Sequence, residues 1–176
     1  MNEDSIVLGG GCFWCLDALY RRLKGVLKVE TGYAGGTAEN PTYMSVYSGT
    51  TGHAEVVRVT FDPKVIQLKT LIDIFWAIHD PTTLNKQGAD IGTDYRSIIL
   101  YNSSDQKRII ADSMLYTATK LWSAPLTTEV KPLDKFYIAE PEHQNYAEAN
   151  PASGYCRVVI NPKLAKFKKQ FVNLLA

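Results

Sequence analysis

The sequence predicts an α+β fold in which helices pack on a mixed β-sheet, and three observations carry that expectation. Short apolar runs of strand character alternate with stretches whose apolar residues recur at helical spacing. The two kinds are interleaved along the whole chain rather than segregated into halves. The chain is also long enough to build a core of its own, since 176 residues bury about 70% of the surface that the unfolded chain exposes. No repeat, low-complexity stretch or linker divides it, so a single catalytic domain over residues 1–176 is expected.

Taken in order, Ile6-Val7-Leu8 reads as the first strand, and Gly9-Gly10-Gly11 ends it. Phe13, Leu16, Leu19, Tyr20 and Leu23 then mark one face of a helix. Residues 27–31 and 54–61 follow as strands; in the second, Glu55 shares a face with Val57, Val59 and Phe61, while Arg58 and Thr60 take the other. A second round gives a helix over 65–79, a strand over 96–101, a helix over 105–121 and strands over 127–132 and 157–160. A closing helix spans 162–175, with proline near its start, where its missing N–H costs nothing. Three connections, 32–53, 80–94 and 139–155, are too long for plain turns, and Tyr33, Tyr43, Tyr47, Tyr95, Tyr137, Tyr146 and Tyr155 lie in or beside them. Aromatic density of that kind argues against disorder, and long ordered loops carry function.

Composition narrows the function classes. Hydrophobic residues make up 45% and charged residues 21%, and a net charge of +1 gives no reason to expect a nucleic-acid partner. Residues 1–5 lack the basic and apolar runs of a signal peptide, and no stretch approaches the roughly 18 apolar residues of a membrane span. A cytoplasmic setting without membrane contact is therefore expected. Three cysteines are an odd number, so Cys12, Cys15 and Cys156 are poor staples and better candidates for redox, nucleophilic or metal chemistry.

Cys12 follows the glycine run at a helix start, where unpaired N–H groups and the helix dipole favour an anion and lower a thiol's pKa. The glycines fit neither a dinucleotide fingerprint nor a phosphate loop, because the spacing fails at Trp14 and no G-K-[ST] follows. Glu55 on an apolar strand face is a carboxyl whose pKa desolvation raises, and such a group holds a proton at neutral pH for delivery to a substrate oxygen. The competing reading is a glutamate at a frayed strand start, turned to water. Asp17 lies five helical positions from Cys12, about 140° round the helix, and is spaced to pair with Arg21, which makes it a solvated surface group. His53, His79 and His143 raise a Cys-His hydrolase reading, and the three cysteines with His143 raise a zinc site, but no spacing selects either. A C-x-x-C at a helix start also suits a thioredoxin-type thiol-disulfide oxidoreductase. Phe13 and Trp14 between the cysteines are bulkier than that motif needs and point to an apolar pocket beside the thiol.

Six segments, "GCFWC", "TGYAGG", "NPTY", "GHAEVV", "GADIGTDYRS" and "EHQNYAEANPASGYC", occur in this order over nearly the whole chain from Gly9 to Cys156. Together they resemble the A-type peptide methionine sulfoxide reductases. The resemblance implies a modified ferredoxin-like α+β core and reduction of the S epimer of methionine sulfoxide, free or in oxidised proteins. It implies passage through a cysteine sulfenic acid and an intramolecular disulfide, thioredoxin as final electron donor, and no cofactor or metal. By position, the family's nucleophile falls on Cys12 and its acid on Glu55. The aromatic cradle for the substrate methyl falls on Phe13 and Trp14, the hydroxyls on the oxygen side on Tyr43 and Tyr95, and the site aspartate on Asp90. Many members read G-C-F-W-G and resolve the sulfenic acid with a cysteine in a glycine-rich tail. Here Cys15 replaces that glycine, and Cys156 of "GYC" runs straight into the strand-like 157–160. Residues three apart on a helix have Cα atoms about 5 to 6 Å apart, inside disulfide range, which favours Cys15 as resolver with Cys156 as its competitor.

Overall fold

The computed structural model describes residues 2–176. In chain order it forms β1 (Asp4–Gly9), α1 (Phe13–Tyr20), β2 (Val26–Ala34), α2 (Tyr43–Tyr47), β3 (Ala54–Phe61) and α3 (Leu68–Ile78). There follow the short β4 (Lys86–Gln87) and β5 (Asp90–Ile91), then β6 (Ile98–Tyr101), α4 (Ser104–Ser113), α5 (Thr119–Leu121), β7 (Glu129–Pro132) and β8 (Phe136–Ile138). The chain closes with α6 (Tyr146–Ala149) and α7 (Asn161–Gln170).

Six strands make one sheet in the order β7-β6-β1-β3-β2-β8, while β4 and β5 pair as a separate ribbon. The sheet is mixed as expected: β6 and β7 are parallel, the other neighbours antiparallel. Ile6 and Leu8, with Val57, Val59 and Phe61 of β3, enter the main core with Leu16, Leu19 and Tyr20 of α1 and Phe75 and Trp76 of α3. Val7, Val56, Ile98 and Leu100 point the other way into a second cluster closed by Leu133 and Phe136. Burial on both faces is why β1 reads as an unbroken apolar run.

Three sequence expectations change. Residues 157–160 are not a strand: Cys156–Ile160 is a wide helical turn that runs directly into α7. The β-branched Val158-Val159-Ile160 suggested a strand, but Cys156 and Ile160 are buried four residues apart, with Leu164 and Phe167 continuing the same face. β2 extends to Ala34, where it pairs with β8, an edge strand of three residues too short to announce itself. The third is Asp17, which is 1% exposed rather than solvated. α1 is enclosed on nearly every side, so the carboxylate has no face toward water. It accepts from Arg21 at 2.6 Å, and burial pushes its carboxyl up.

Helix 105–121 is interrupted by a wide turn at Met114–Ala118. The segment 139–176 is fastened at both ends. Gln144 exchanges hydrogen bonds with the Thr31 backbone, and the Thr31 hydroxyl donates to His143 O. At the other end, the Lys24 N–H donates to Leu174 O at 2.8 Å, and the Ala176 N–H donates to Arg22 O at 2.9 Å.

Candidate active site

β1 delivers its last residues between β3 and β6 with no room to spare. A Cβ on Gly9 would lie 2.7 Å from Ile98 Cγ2 and 2.9 Å from Glu55 O. Gly11 adopts φ +86°, open to glycine without strain, and its N–H donates to Tyr95 O at 3.1 Å. That bond ties the loop carrying Tyr95 to the residue before Cys12. Cys12 itself is the N-cap of α1, with φ −65° and ψ 129°.

One of the N–H groups that the sequence assigned to a thiolate serves a carboxyl group instead. Phe13 N–H donates to Glu55 Oε1 at 3.1 Å, so Glu55 closes the first turn of α1 from the neighbouring strand. Glu55 is 2% exposed, which rules out the reading of it as a frayed, water-facing residue. Burial raises its pKa to about 8; the Phe13 N–H bond opposes that, and the charges of Asp94 and Asp90 add to it.

The expected low pKa of Cys12 is overturned for the resting protein. Its thiol is pushed well above the usual range, first by burial, then by the charges of Glu55 and Cys15, with only partial relief from the Trp14 N–H and the Tyr155 hydroxyl. One helix start cannot offset removal from water together with a neighbouring carboxylate. In their ground states, therefore, Cys12 is a thiol and Glu55 a carboxylic acid at neutral pH.

Around this pair stands an aromatic wall. Trp14 stacks on Tyr146 with ring centroids 3.7 Å apart, and its indole N–H donates to His143 Nδ1 at 3.2 Å. His143 stacks on Tyr43 at 4.4 Å. Phe13 lies beneath, fully buried against Tyr33 and His143. Glu140 fixes the rim by accepting from the Tyr33 hydroxyl at 2.8 Å and the Tyr43 N–H at 2.9 Å. Burial, with Glu55 the next cause, raises the hydroxyl pKa of Tyr43 to about 12 and that of Tyr95 still further. Both stay hydrogen-bond donors.

On the opposite side, Tyr155 donates its hydroxyl proton to Asp90 Oδ2 at 2.9 Å and lies 3.8 Å from Cys15 Sγ. Cys15 is 3% exposed, and burial raises its pKa while the Lys163 ammonium and Tyr155 oppose the rise; Cys156, 1% exposed, is close enough to add to it. All three cysteines are free and buried. His53 and His79 are engaged elsewhere: His53 accepts from the Gly36 N–H, and His79 is held between Phe75 O and Ser97 Oγ. Among the described residues, no group of three or more His, Cys, Asp or Glu is placed to hold a metal ion.

Of the residues the sequence put forward, Cys12, Phe13, Trp14, Cys15, Tyr43, Glu55, Asp90, Tyr95 and Cys156 are brought together around α1, while His53 and His79 are not. Glu140, Tyr146 and Tyr155 join them without having been singled out as site residues, and His143, raised only as a base or a zinc ligand, joins as part of the aromatic wall. For the tyrosines the signal was present in the aromatic density of the long loops. For Glu140 there was none, because its role exists only once β8 and α2 meet.

A family profile described as peptide methionine sulfoxide reductase matches residues 4–175. The chain is 53% identical over 167 residues to peptide methionine sulfoxide reductase MsrA of Paenarthrobacter aurescens, covering 95% of each chain. Among solved structures it is similar to methionine sulfoxide reductase A of Corynebacterium diphtheriae (TM-score 0.77, 33% identity, 86% of this chain and 76% of that one). It is also similar to Mxr1 of Saccharomyces cerevisiae in reduced form (TM-score 0.76, 36% identity, 88% and 89%) and in complex with Trx2 (TM-score 0.52, 28% identity, 82% and 85%).

Proposed function

Because the chain belongs to the peptide methionine sulfoxide reductase family, we propose that Cys12 and Glu55 are the nucleophile and the acid of its reaction. The enzyme reduces methionine sulfoxide to methionine and is recycled by thioredoxin, as the complex formed by the yeast relative supports. The observation that carries the residue assignment is the Phe13 N–H to Glu55 Oε1 bond at 3.1 Å, which places a carboxyl that burial keeps protonated near neutrality one residue from the thiol.

The sulfoxide sits with its methyl group against Trp14 and the buried Phe13, and its oxygen toward Glu55, Tyr43 and Tyr95. Glu55 protonates the oxygen, which makes the substrate sulfur electrophilic enough for a weakly acidic thiol to attack. Cys12 gives up its proton as its sulfur engages, and that proton restores Glu55. The sulfur–sulfur bond made in the attack and the substrate S–O bond then break as an S–O bond forms on Cys12, and a thiol plus a sulfoxide become a sulfenic acid plus methionine. The donors on the oxygen side are fixed relative to the methyl wall, so only one epimer presents its sulfur to Cys12, and membership of the family supports the S epimer as that one.

Cys15 then attacks the sulfenic sulfur, forming the Cys12–Cys15 disulfide and releasing water. Cys156 follows, exchanging onto Cys15 to free Cys12 and carry the disulfide outward to the thioredoxin dithiol, which leaves oxidised. The contact between Cys15 and Tyr155 and the electrostatic proximity of Cys15 to Cys156 support this order. We also infer that residues 1–176 act as one catalytic domain in the cytoplasm, a reading supported by an odd number of free cysteines. No helix among the described residues is long and apolar enough to cross a membrane.

The test is single-turnover methionine release. Cys12→Ser should release none, and Glu55→Gln should bind substrate but react about 10²- to 10⁴-fold more slowly. An Asn- or Gln-like tolerance at Glu55, with a rate within threefold of wild type (about 0.7 kcal/mol), would remove it as the acid.

A further inference from the structure

Charge along this chain is lopsided. From Ala149 onward there are five basic residues, Arg157, Lys163, Lys166, Lys168 and Lys169, and no acidic one; residues 1–148 hold the other 14 basic and all 18 acidic residues. All five are exposed, and none enters an ion pair among the described residues. Of the 14 basic residues elsewhere, eight, Arg21, Lys28, Arg58, Lys69, Arg96, Arg108, Lys131 and Lys135, are paired. Lys163, Lys166 and Lys169, three apart, form a stripe on the outer face of α7.

The stripe begins beside the redox centre. Lys163 lies close enough to Cys15 to draw its thiol's pKa down, and Lys163 and Lys166 line a cleft of ≈ 290 Å³ whose other walls include Gln87 and Trp122. The one carboxylate in that cleft, Asp80, is engaged by the Thr82 N–H and hydroxyl. Arg157 and Val158, the latter 75% exposed, follow directly on Cys156.

We propose that this basic face is the docking surface for the protein dithiol that re-reduces the enzyme, and that it selects a reductant with an acidic rim around its reactive cysteine. The inference rests on the thioredoxin-recycling reading and adds the surface and the charge that recognise the reductant. Size fits: along a helix Lys163 and Lys166 lie about 10 and 15 Å from Cys156, and a standard interface of about 800 Å² per partner reaches about 16 Å from its centre. A membrane is the poorer occupant, because the apolar side of α7 is already packed inward, with Phe167 2% exposed. Charges at the edge of such an interface act chiefly on association rate and its salt dependence.

The experiment compares wild type, the double variant Lys166→Glu/Lys169→Glu, and a control with the same charge change far from the face, Lys64→Glu/Lys107→Glu. Each is assayed with an acidic thioredoxin and with dithiothreitol, after thermal melts confirm that all three fold. At about 20 mM salt the double variant should lose about tenfold in kcat/KM for thioredoxin, and the loss should shrink as salt rises to about 0.3 M. Its rate with dithiothreitol, and the control with either reductant, should match wild type. An unchanged thioredoxin KM in the double variant, or an equal loss in the control, overturns the proposal. Binding of anionic vesicles or duplex DNA that the double variant loses while its thioredoxin kinetics stay intact assigns the face to another polyanion and overturns it equally. Wild-type turnover with dithiothreitol but none with thioredoxin refutes the recycling reading itself, and this surface with it.

Discussion

Glu55 is a carboxyl group that folding makes a weaker acid, and the sign of its effect on stability follows. Its pKa rises from an ordinary 4.5 to about 8, so the folded state binds more protons than the unfolded state between those values. The stabilisation linked to its proton is complete below about pH 4.5 and is lost as pH rises through 8. Glu55→Gln should lack that slope, so its melting temperature should gain on wild type from pH 5 to 9, and equal slopes in the two proteins would place the carboxyl in water. The same titration should end catalysis: wild-type single-turnover rate should fall above about pH 8, a limb the glutamine variant should lack. Strand parity put Glu55 on the dry face with Val57, Val59 and Phe61 but left a frayed start open, which its burial in the fold closes. Asp17 was misread because a helix wheel shows which side faces away from Cys12 but not that other elements enclose that side too. Cys12 stands at the helix start that the sequence gives it, yet its ionisation depends on burial and on Glu55, both set by tertiary packing.

The glycine run between β1 and α1 shows how an element boundary holds a reactive residue. A Cβ on Gly10 would lie 2.7 Å from His79 Cδ2, and His79 cannot yield because Phe75 O and Ser97 Oγ grip both ring nitrogens. Burial lowers the pKa of His79 to about 4, so it is neutral and stays in that grip across the working range. Gly10→Ala should therefore cost about 1–3 kcal/mol by denaturant titration and lower the rate of methionine release, because the displaced loop carries Cys12. A fully active, equally stable Gly10→Ala would mean the loop is slack. At the other cysteine, the helical turn Cys156–Ile160 changes the question of the resolver, since Cys156 heads a helix rather than a strand. Under thioredoxin-coupled turnover, Cys15→Ser should stop after one methionine and accumulate sulfenic acid, while Cys156→Ser should form the Cys12–Cys15 disulfide by mass mapping and recycle slowly. Normal cycling of Cys15→Ser would make Cys156 the direct resolver. The turn was legible after all: positions 156, 160, 164 and 167 keep helical spacing, but the β-branched run between them drew the eye.

Across the molecule, the sheet order places the proposed nucleophile and acid on adjacent strand ends, with Cys12 just beyond β1 and Glu55 at the start of β3. Interleaved strands and helices were enough to predict that architecture; edge strand β8 and the β4–β5 ribbon were not, being two or three residues long. The fastening of residues 139–176 at both ends has a kinetic consequence. Cys156 is not carried on a free tail: the chain on either side of it is anchored, near Thr31 and near Arg22 to Lys24, so when the buried segment opens its thiol remains within a loop of limited reach. Its encounter with an oxidised sulfur is then governed by an effective concentration, in the millimolar range for short tethers, rather than by the amount of protein present. A variant ending at Gln170 releases one anchor and should dilute that thiol, so that after one equivalent of sulfoxide mass mapping finds the disulfide held at Cys12–Cys15, whereas in the intact chain it passes on to Cys15–Cys156 at any protein concentration.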